Sequence, residues 1–356
     1  MSEQRPSISD SFRAEMERTL QRGLKGLEYL STTAPPVGVT RRDLIRRRGT
    51  MALYHYSPLA EEIYRVPVLM VMALTNRGYI LDLAPGQSFV EFLLKRGHDV
   101  YMIDWNPPRA DEKRLRIEDY VLDFIPDCVR HVQQHSGESD VNIVGYCMGG
   151  LLTSMYMALH ADGPVRAVAV FTTPIDFTGM QLFQNWTDKR HFNVDRLVDT
   201  VGNVPREIIY SGFDMLRPAD RVAGQIQLWD NMWNSEYVKS FRRFEKWTNE
   251  ILPLPGEFFR QFTKELMWEN KLLKGELMLG KRRVDLGAIK APLLHAVAEH
   301  DHIIPYQASK PLVDLVGSDD KEEIVLKGGH VSLVAGGNAI KRLWPKLDAW
   351  LGARST

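Results

Sequence analysis

Apolar residues along this chain fall into two alternating rhythms. Short runs such as V-P-V-L-M-V-M-A (Val66–Ala73) carry little polar alternation, as expected of strands covered on both faces of a parallel sheet. Asp99–Asp104, Val141–Val144 and Val165–Thr172 read the same way, and M-A-L-Y-H-Y within Met51–Tyr64 reads as an outer strand. Between them lie stretches with helical spacing: Ser88–Arg96 ended by Gly97, Ile117–Gln134, and Leu151 to about His160. This alternation predicts an α/β fold with a mostly parallel, doubly wound sheet. The rhythm breaks at Pro174. From about Ile175 to Gly280 the pattern is helical, aromatic and punctuated by Pro205, Pro218, Pro253 and Pro255, which predicts a mainly helical cap (175–280) inserted between sheet segments 51–174 and 281–356. The sheet resumes with Ala291–Ala298 and Glu322–Leu326, and a helix over Asn338–Leu351 closes it. Ahead of the sheet, residues 1–50 are expected to form an N-terminal amphipathic helical segment, whose first 35 residues read as a helix with Phe12, Met16, Leu20, Leu24, Leu27 and Leu30 on one face. Such a face packs on its own domain or docks a partner or an apolar surface, and the pattern leaves both open.

The strand at Val141 runs into Gly145-Tyr-Cys-Met-Gly149 and then into a helix. G-x-C-x-G between a strand and a helix is the nucleophile elbow of an α/β-hydrolase fold, with Cys147 where serine usually stands. The strained turn leaves no room for side chains two residues either side, hence Gly145 and Gly149. The free N–H groups and macrodipole of the helix favour negative charge on the sulfur. Cys128, inside a helical pattern, reads as a core residue.

Composition narrows the setting. The 356 residues hold 45 basic and 45 acidic side chains, so net charge offers no argument for nucleic acid or an anionic membrane. Two cysteines do not make a disulfide framework and fit a reducing compartment. No apolar leader and no stretch of transmembrane length is evident, so a cytoplasmic protein is expected. Five of the eight tryptophans (Trp186, Trp229, Trp233, Trp247 and Trp268) lie in the cap segment, where most are expected to be ordinary core.

An acylating cysteine needs a base, and the base needs an acid to orient it. In this fold the acid follows one late strand and the histidine the next. Asp301 and His330 stand at those two points, within E-H-D-H (Glu299–His302) and K-G-G-H (Lys327–His330). Glu299 is an alternative acid, and His302 is either structural or a second proton carrier. The H-x-H of His300 and His302 has no third ligand at a recognisable spacing, so neither a metal nor any other cofactor is expected. An oxyanion hole would use the backbone N–H of Met148 with one from the loop near Leu74 or Thr75. Asn76, Tyr79 and Asp82 in that loop either shape the site or serve as turn and cap residues. A thiolate nucleophile suits acyl exchange with a thioester, whose sulfur leaving group nearly matches it.

Several stretches resemble the polyhydroxyalkanoate synthases, in particular the short type that works with a second subunit (classes III and IV). They are A-L-T-N-R-G-Y-I-L-D-L (Ala73–Leu83), G-H-D-V-Y-M-I-D-W (Gly97–Trp105), I-E-D-Y (Ile117–Tyr120), G-Y-C-M-G-G (Gly145–Gly150), Asp301-His302 and G-G-H (Gly328–His330). Gly329–Gly337 is nearer to class IV. The resemblance implies Cys147 as the acylated nucleophile, His330 as its base and Asp301 as the third member, with His302 following the acid. It implies polymerisation of (R)-3-hydroxyacyl-CoA, typically 3-hydroxybutyryl-CoA, into polyester with release of CoA. It also implies a second synthase subunit of the PhaE or PhaR type, homodimerisation, and a place at the surface of cytoplasmic polyester granules. Two other readings stand beside it: an acyl-CoA thioesterase or hydrolase that delivers the acyl group to water, and a non-catalytic granule-coating protein.

Overall fold

The computed structural model describes residues 8–355. Its frame is an eight-stranded sheet in the order β1-β2-β4-β3-β5-β6-β9-β10. The strands are β1 (Arg42–Arg48), β2 (Met51–Tyr56), β3 (Val68–Val71), β4 (Val100–Trp105), β5 (Val141–Tyr146), β6 (Val165–Phe171), β9 (Leu293–Ala298) and β10 (Lys321–Leu326), with a small separate hairpin of β7 (Met278–Leu279) and β8 (Arg282–Arg283). From β4 through β10 every neighbour in the sheet is parallel, while β1–β2 and β2–β4 are antiparallel. Residues 68–71, 100–105, 141–146 and 293–298 are buried throughout, because helices cover both faces of the centre of the sheet.

The N-terminal segment differs from the expectation drawn from its pattern. A helix spans Ile8–Ser31, but Arg42–Arg48 is a strand, not part of a helical segment ending at residue 50, and it takes the outer edge from Met51–Tyr56. The sequence R-D-L-I-R-R-R hides this strand because an edge strand exposes charged side chains along one side, and arginine there also blunts edge pairing. Arg46 and Arg48 reach Asp127 and Asp123 on the neighbouring helix surface.

The segment between β6 and β9 is helical, with helices at Gln181–Trp186, Val194–Val201, Arg206–Asp214, Pro218–Asp230, Ser235–Asn249 and Gly256–Gln261. It is tied down over the loop that follows β3. Leu252 donates its N–H to the Thr75 carbonyl (2.8 Å), the Trp247 indole N–H to the Arg77 carbonyl (3.0 Å), and the Tyr79 hydroxyl to Glu250 (2.8 Å). Trp247 is buried, whereas Trp229 and Trp233 are exposed. No described helix is long and apolar enough to cross a membrane.

Candidate active site

Parallel strands end on the same edge, and the chemistry-bearing residues collect there. In register, Gly145 of β5 faces Val71 of β3 and Val170 of β6, while Phe171 of β6 faces Ala296 of β9 and Leu326 of β10 faces Ala298. Cys147 leaves β5, Thr172 leaves β6, Asp301 follows β9 and His330 follows β10. Residues up to 183 positions apart in sequence thus meet at one place.

Cys147 joins β5 to the helix Met148–Leu159 with φ 54° and ψ −120°. A non-glycine residue in this region is strained, and the strain turns the side chain out of the fold at the helix start. Glycines close the space on both sides. A Cβ on Gly145 would lie 2.6 Å from the Gly150 Cα, and one on Gly149 would lie 2.1 Å from the Val71 carbonyl oxygen. Gly150 is crowded by a side chain instead, with the Thr173 hydroxyl 2.0 Å from where its Cβ would stand.

Behind the sulfur stands a histidine–carboxylate pair. His330 Nδ1 is 2.7 Å from Asp301 Oδ2, and both residues are buried. The Asp301 side chain is fully enclosed, and both of its oxygens are hydrogen-bonded. Oδ1 accepts the backbone N–H groups of Ile303 (2.9 Å) and Ile304 (2.8 Å); Oδ2 accepts from His330 and from the Thr172 hydroxyl. Burial pushes the Asp301 pKa up, but His330, Thr172 and the Ile304 N–H overcome it and hold the carboxyl below its ordinary value. Burial likewise pushes His330 down, and here the Asp301 carboxylate, then the Cys147 sulfur, raise it above the ordinary imidazole value. The imidazole is therefore held between the Asp301 carboxylate and the Cys147 sulfur. The ring of Tyr146 packs against it at 5.2 Å.

The other residues singled out in the sequence fall into place around this pair. Glu299, the alternative acid, is exposed and its nearest charged partner is His300 at 4.0 Å, so it does not reach His330. His302 is half-buried; burial lowers its pKa, and the nearby Arg217 lowers it further. Among the described residues the His302 ring has no hydrogen-bond partner. Cys128 is buried against Met51, its sulfur 3.4 Å from the thioether, and burial pushes its thiol far up, as a core residue rather than a nucleophile. Met148 is the first residue of the elbow helix, where backbone N–H groups lack partners within the helix. Leu74 and Thr75 are buried in the loop just past β3.

Asp82 and Tyr79 are fasteners. Asp82 accepts from the Thr40 backbone (3.0 Å), the Thr40 hydroxyl (2.6 Å) and the Ser88 hydroxyl (2.7 Å), locking the N-terminal segment to the sheet. Asn76 accepts from its neighbour Thr75 (2.9 Å). The pattern reading missed Thr172: a polar residue ending an apolar strand carries no signal of what it will face.

A family model described as the alpha/beta hydrolase fold matches residues 66–336, and one described as the N-terminus of poly-beta-hydroxybutyrate polymerase (PhaC) matches residues 33–93. Among solved structures, the monoacylglycerol lipase of Paleococcus ferrophilus superposes with a TM-score of 0.53 at 14% identity, covering 87% of this chain and 100% of that one. Alpha/beta hydrolase domain-containing protein 10 from mouse gives 0.51 at 15% identity, covering 88% and 99%. At these identities they show the fold alone. Among curated proteins, the poly(3-hydroxyalkanoate) polymerase subunit PhaC of Haloferax mediterranei is 38% identical over 322 residues, 90% of this chain and 65% of that protein. The subunit of the same name from Allochromatium vinosum is 35% identical over 355 residues, 98% of both chains, and that of Synechocystis is 32% identical over 93% and 89%. With the hydrolase frame, the cysteine elbow and relatives matched end to end, this chain belongs to the PhaC family of poly(3-hydroxyalkanoate) polymerases, acyltransferases built on the α/β-hydrolase fold.

Proposed function

We propose that this chain polymerises (R)-3-hydroxyacyl-CoA, with 3-hydroxybutyryl-CoA as the first substrate to test, through acyl thioesters on Cys147. The observation that carries the reading is Cys147 at a strained strand-to-helix turn in front of the buried His330–Asp301 pair. His330, its imidazole raised by Asp301 and the Cys147 sulfur, holds the thiol proton on Nε2, and Sγ attacks the thioester carbonyl as the thiolate. The bond to the CoA sulfur breaks, and CoA leaves with that proton. The hydroxyl of one acyl unit then gives its proton to His330 and attacks the carbonyl of another, so that a C–O ester bond forms as the C–S bond of the attacked thioester breaks, and His330 returns the proton to the departing sulfur. Asp301 acts through His330 and not on the hydroxyl: its side chain is enclosed and both of its oxygens already accept two hydrogen bonds. Developing oxyanion charge is met by the Met148 N–H and a donor of the Leu74–Thr75 loop. His302, half-buried without a ring partner, serves as the auxiliary proton carrier.

A second synthase subunit of the PhaE or PhaR type and a second copy of the chain complete the active assembly, which works in the cytoplasm at the surface of polyester granules. The helix Ile8–Ser31 supports such docking: Phe12, Met16, Leu20, Leu24, Leu27 and Leu30 form one exposed apolar face. The test is CoA release from (R)-3-hydroxybutyryl-CoA by the intact protein and by Cys147→Ala, with and without the partner subunit, and with the products separated into polymer and free acid. Polymer formed only with Cys147 intact supports the reading; free hydroxy acid without polymer replaces it with a thioesterase.

A further inference from the structure

Thr172 is a fully buried, β-branched residue with φ 47°, a backbone conformation in which glycine would be unstrained. It stands where β6 bridges the strand of the nucleophile and the strand of the acid. The carbonyl of the preceding Phe171 accepts the Cys147 N–H at 2.8 Å, and the Thr172 N–H donates to Ala296 of β9 at 2.8 Å. Its hydroxyl donates to Asp301 Oδ2, the same oxygen that His330 Nδ1 reaches at 2.7 Å, and its Oγ1 lies 3.5 Å from Nδ1. Thr173, the next residue, turns towards the elbow, with its hydroxyl 3.5 Å from the Cys147 carbonyl.

An ionised carboxylate only accepts, so the Thr172 hydroxyl can bond Oδ2 only as a donor. The terminal torsion of an aspartate is broad, and two backbone N–H groups at Oδ1 leave Oδ2 free to swing. A second donor at Oδ2 anchors that oxygen opposite Nδ1 and lowers its pull on the Nδ1 proton. The Nδ1 proton stays on the ring, and Nε2 faces the sulfur, where it takes and returns the thiol proton.

We propose that Thr172 is a positioning residue of the triad, its hydroxyl fixing the Asp301 carboxylate that sets the tautomer of His330. A side chain with a hydroxyl held where the backbone favours glycine is what such a role requires. The inference rests on the triad reading above, and the experiment separates the two.

The variants are Thr172→Val, which keeps the shape and removes the hydroxyl, Thr172→Ser, which keeps the hydroxyl, and His330→Gln. The readouts are the pH profile of Cys147 alkylation by iodoacetamide, Cys128 being buried, and the rate of CoA release from (R)-3-hydroxybutyryl-CoA with the partner subunit. Thr172→Val is expected to slow CoA release by about 10- to 100-fold, the loss of a hydrogen bond to a charged group, and to displace the alkylation profile. Thr172→Ser is expected to recover the profile and most of the rate. A wild-type profile in Thr172→Val, or a Thr172→Ser as impaired as Thr172→Val, overturns the inference. Where Thr172→Val does not fold, Thr172→Ser decides: an undisplaced profile supports the hydroxyl, and a displaced one refutes it. If His330→Gln leaves the alkylation profile unchanged, the triad reading itself has failed, and this inference falls with it; if only Thr172→Val does so, the triad stands and Thr172 is structural.

Discussion

Gly149 sits so close to Val71 that a Cβ built on it would lie 2.1 Å from the Val71 carbonyl oxygen. The end of β3 and the elbow helix are packed backbone to backbone, and the loop that follows β3 is thereby held beside Cys147. Gly149→Ala meets a backbone oxygen that cannot rotate away, so the expected cost is about 3 kcal/mol or more, read as a loss of urea midpoint or of folded yield. Gly150→Ala meets chiefly the Thr173 hydroxyl, with the nearest backbone atom, the Gly145 carbonyl oxygen, at 3.2 Å, and the expected cost is smaller, about 1–3 kcal/mol. Equal destabilisation by the two would contradict this packing.

Removing the sulfur leaves the frame intact. Cys147→Ala relieves a strained position of its reactive group without opening the core, so thermal stability is expected to change little. CoA release is expected to fall on the order of 10⁴-fold or more, because the triad acts as a unit. Thermal unfolding checks the first, and a single-turnover assay with radiolabelled hydroxybutyryl-CoA checks the second: protein-bound label should disappear with the sulfur.

Asp301→Asn keeps the size of the acid but places a donor or a weaker acceptor opposite Nδ1 and Thr172. The imidazole then presents the wrong tautomer, and CoA release is expected to fall on the order of 10³- to 10⁴-fold with little change in fold. Glu299→Gln, at an exposed position away from His330, is the matching control, with turnover near that of the wild type. A large loss in the control would reassign the acid.

The two buried groups also tie stability to pH. The Asp301 carboxyl is held below its unfolded value near 3.9, so its contribution is present above that pH and is lost as pH falls through the lower folded value. His330 is raised to about 10, so its contribution is full below its unfolded value of about 6.5 and is lost as pH rises through the folded value. The stability difference between wild type and His330→Gln, measured by urea midpoint, should therefore be largest between about pH 4 and 6.5 and shrink on either side. A difference that grows above neutrality would contradict the raised imidazole.

The apolar face of Ile8–Ser31 separates docking from chemistry. Leu20→Glu with Leu24→Glu alters exposed positions, so stability is expected to shift by less than about 0.5 kcal/mol. Alkylation of Cys147 should be unchanged, while stimulation by the partner subunit or retention on polyester should fall. Retained stimulation and retention would move docking elsewhere on the molecule.

The elbow and the late Asp301 and His330 were legible in the chain because each has a local signature: two glycines around a strained turn, then an acid and a histidine, in that order, past two late apolar strands. The buried strands were legible for the same reason, since a strand covered on both faces cannot alternate. Arg42–Arg48 was not, because an edge strand is free to carry charge and so looks like a loop. Neither was the use of Asp82 and Tyr79 as fasteners, whose partners Thr40 and Glu250 lie 42 and 171 positions away.

What the order of residues set down was the cysteine turn, the late aspartate and histidine, the parallel sheet beneath them and the family that shares them, since periodicity and turn chemistry are local. Folding alone brought Thr172 against Asp301, closed both oxygens of that carboxylate, and laid the Trp247–Leu252 stretch of the cap across the Thr75–Tyr79 loop. These are contacts between side chains and backbone from distant strands and helices, and their geometry exists only once the sheet has aligned the strand ends.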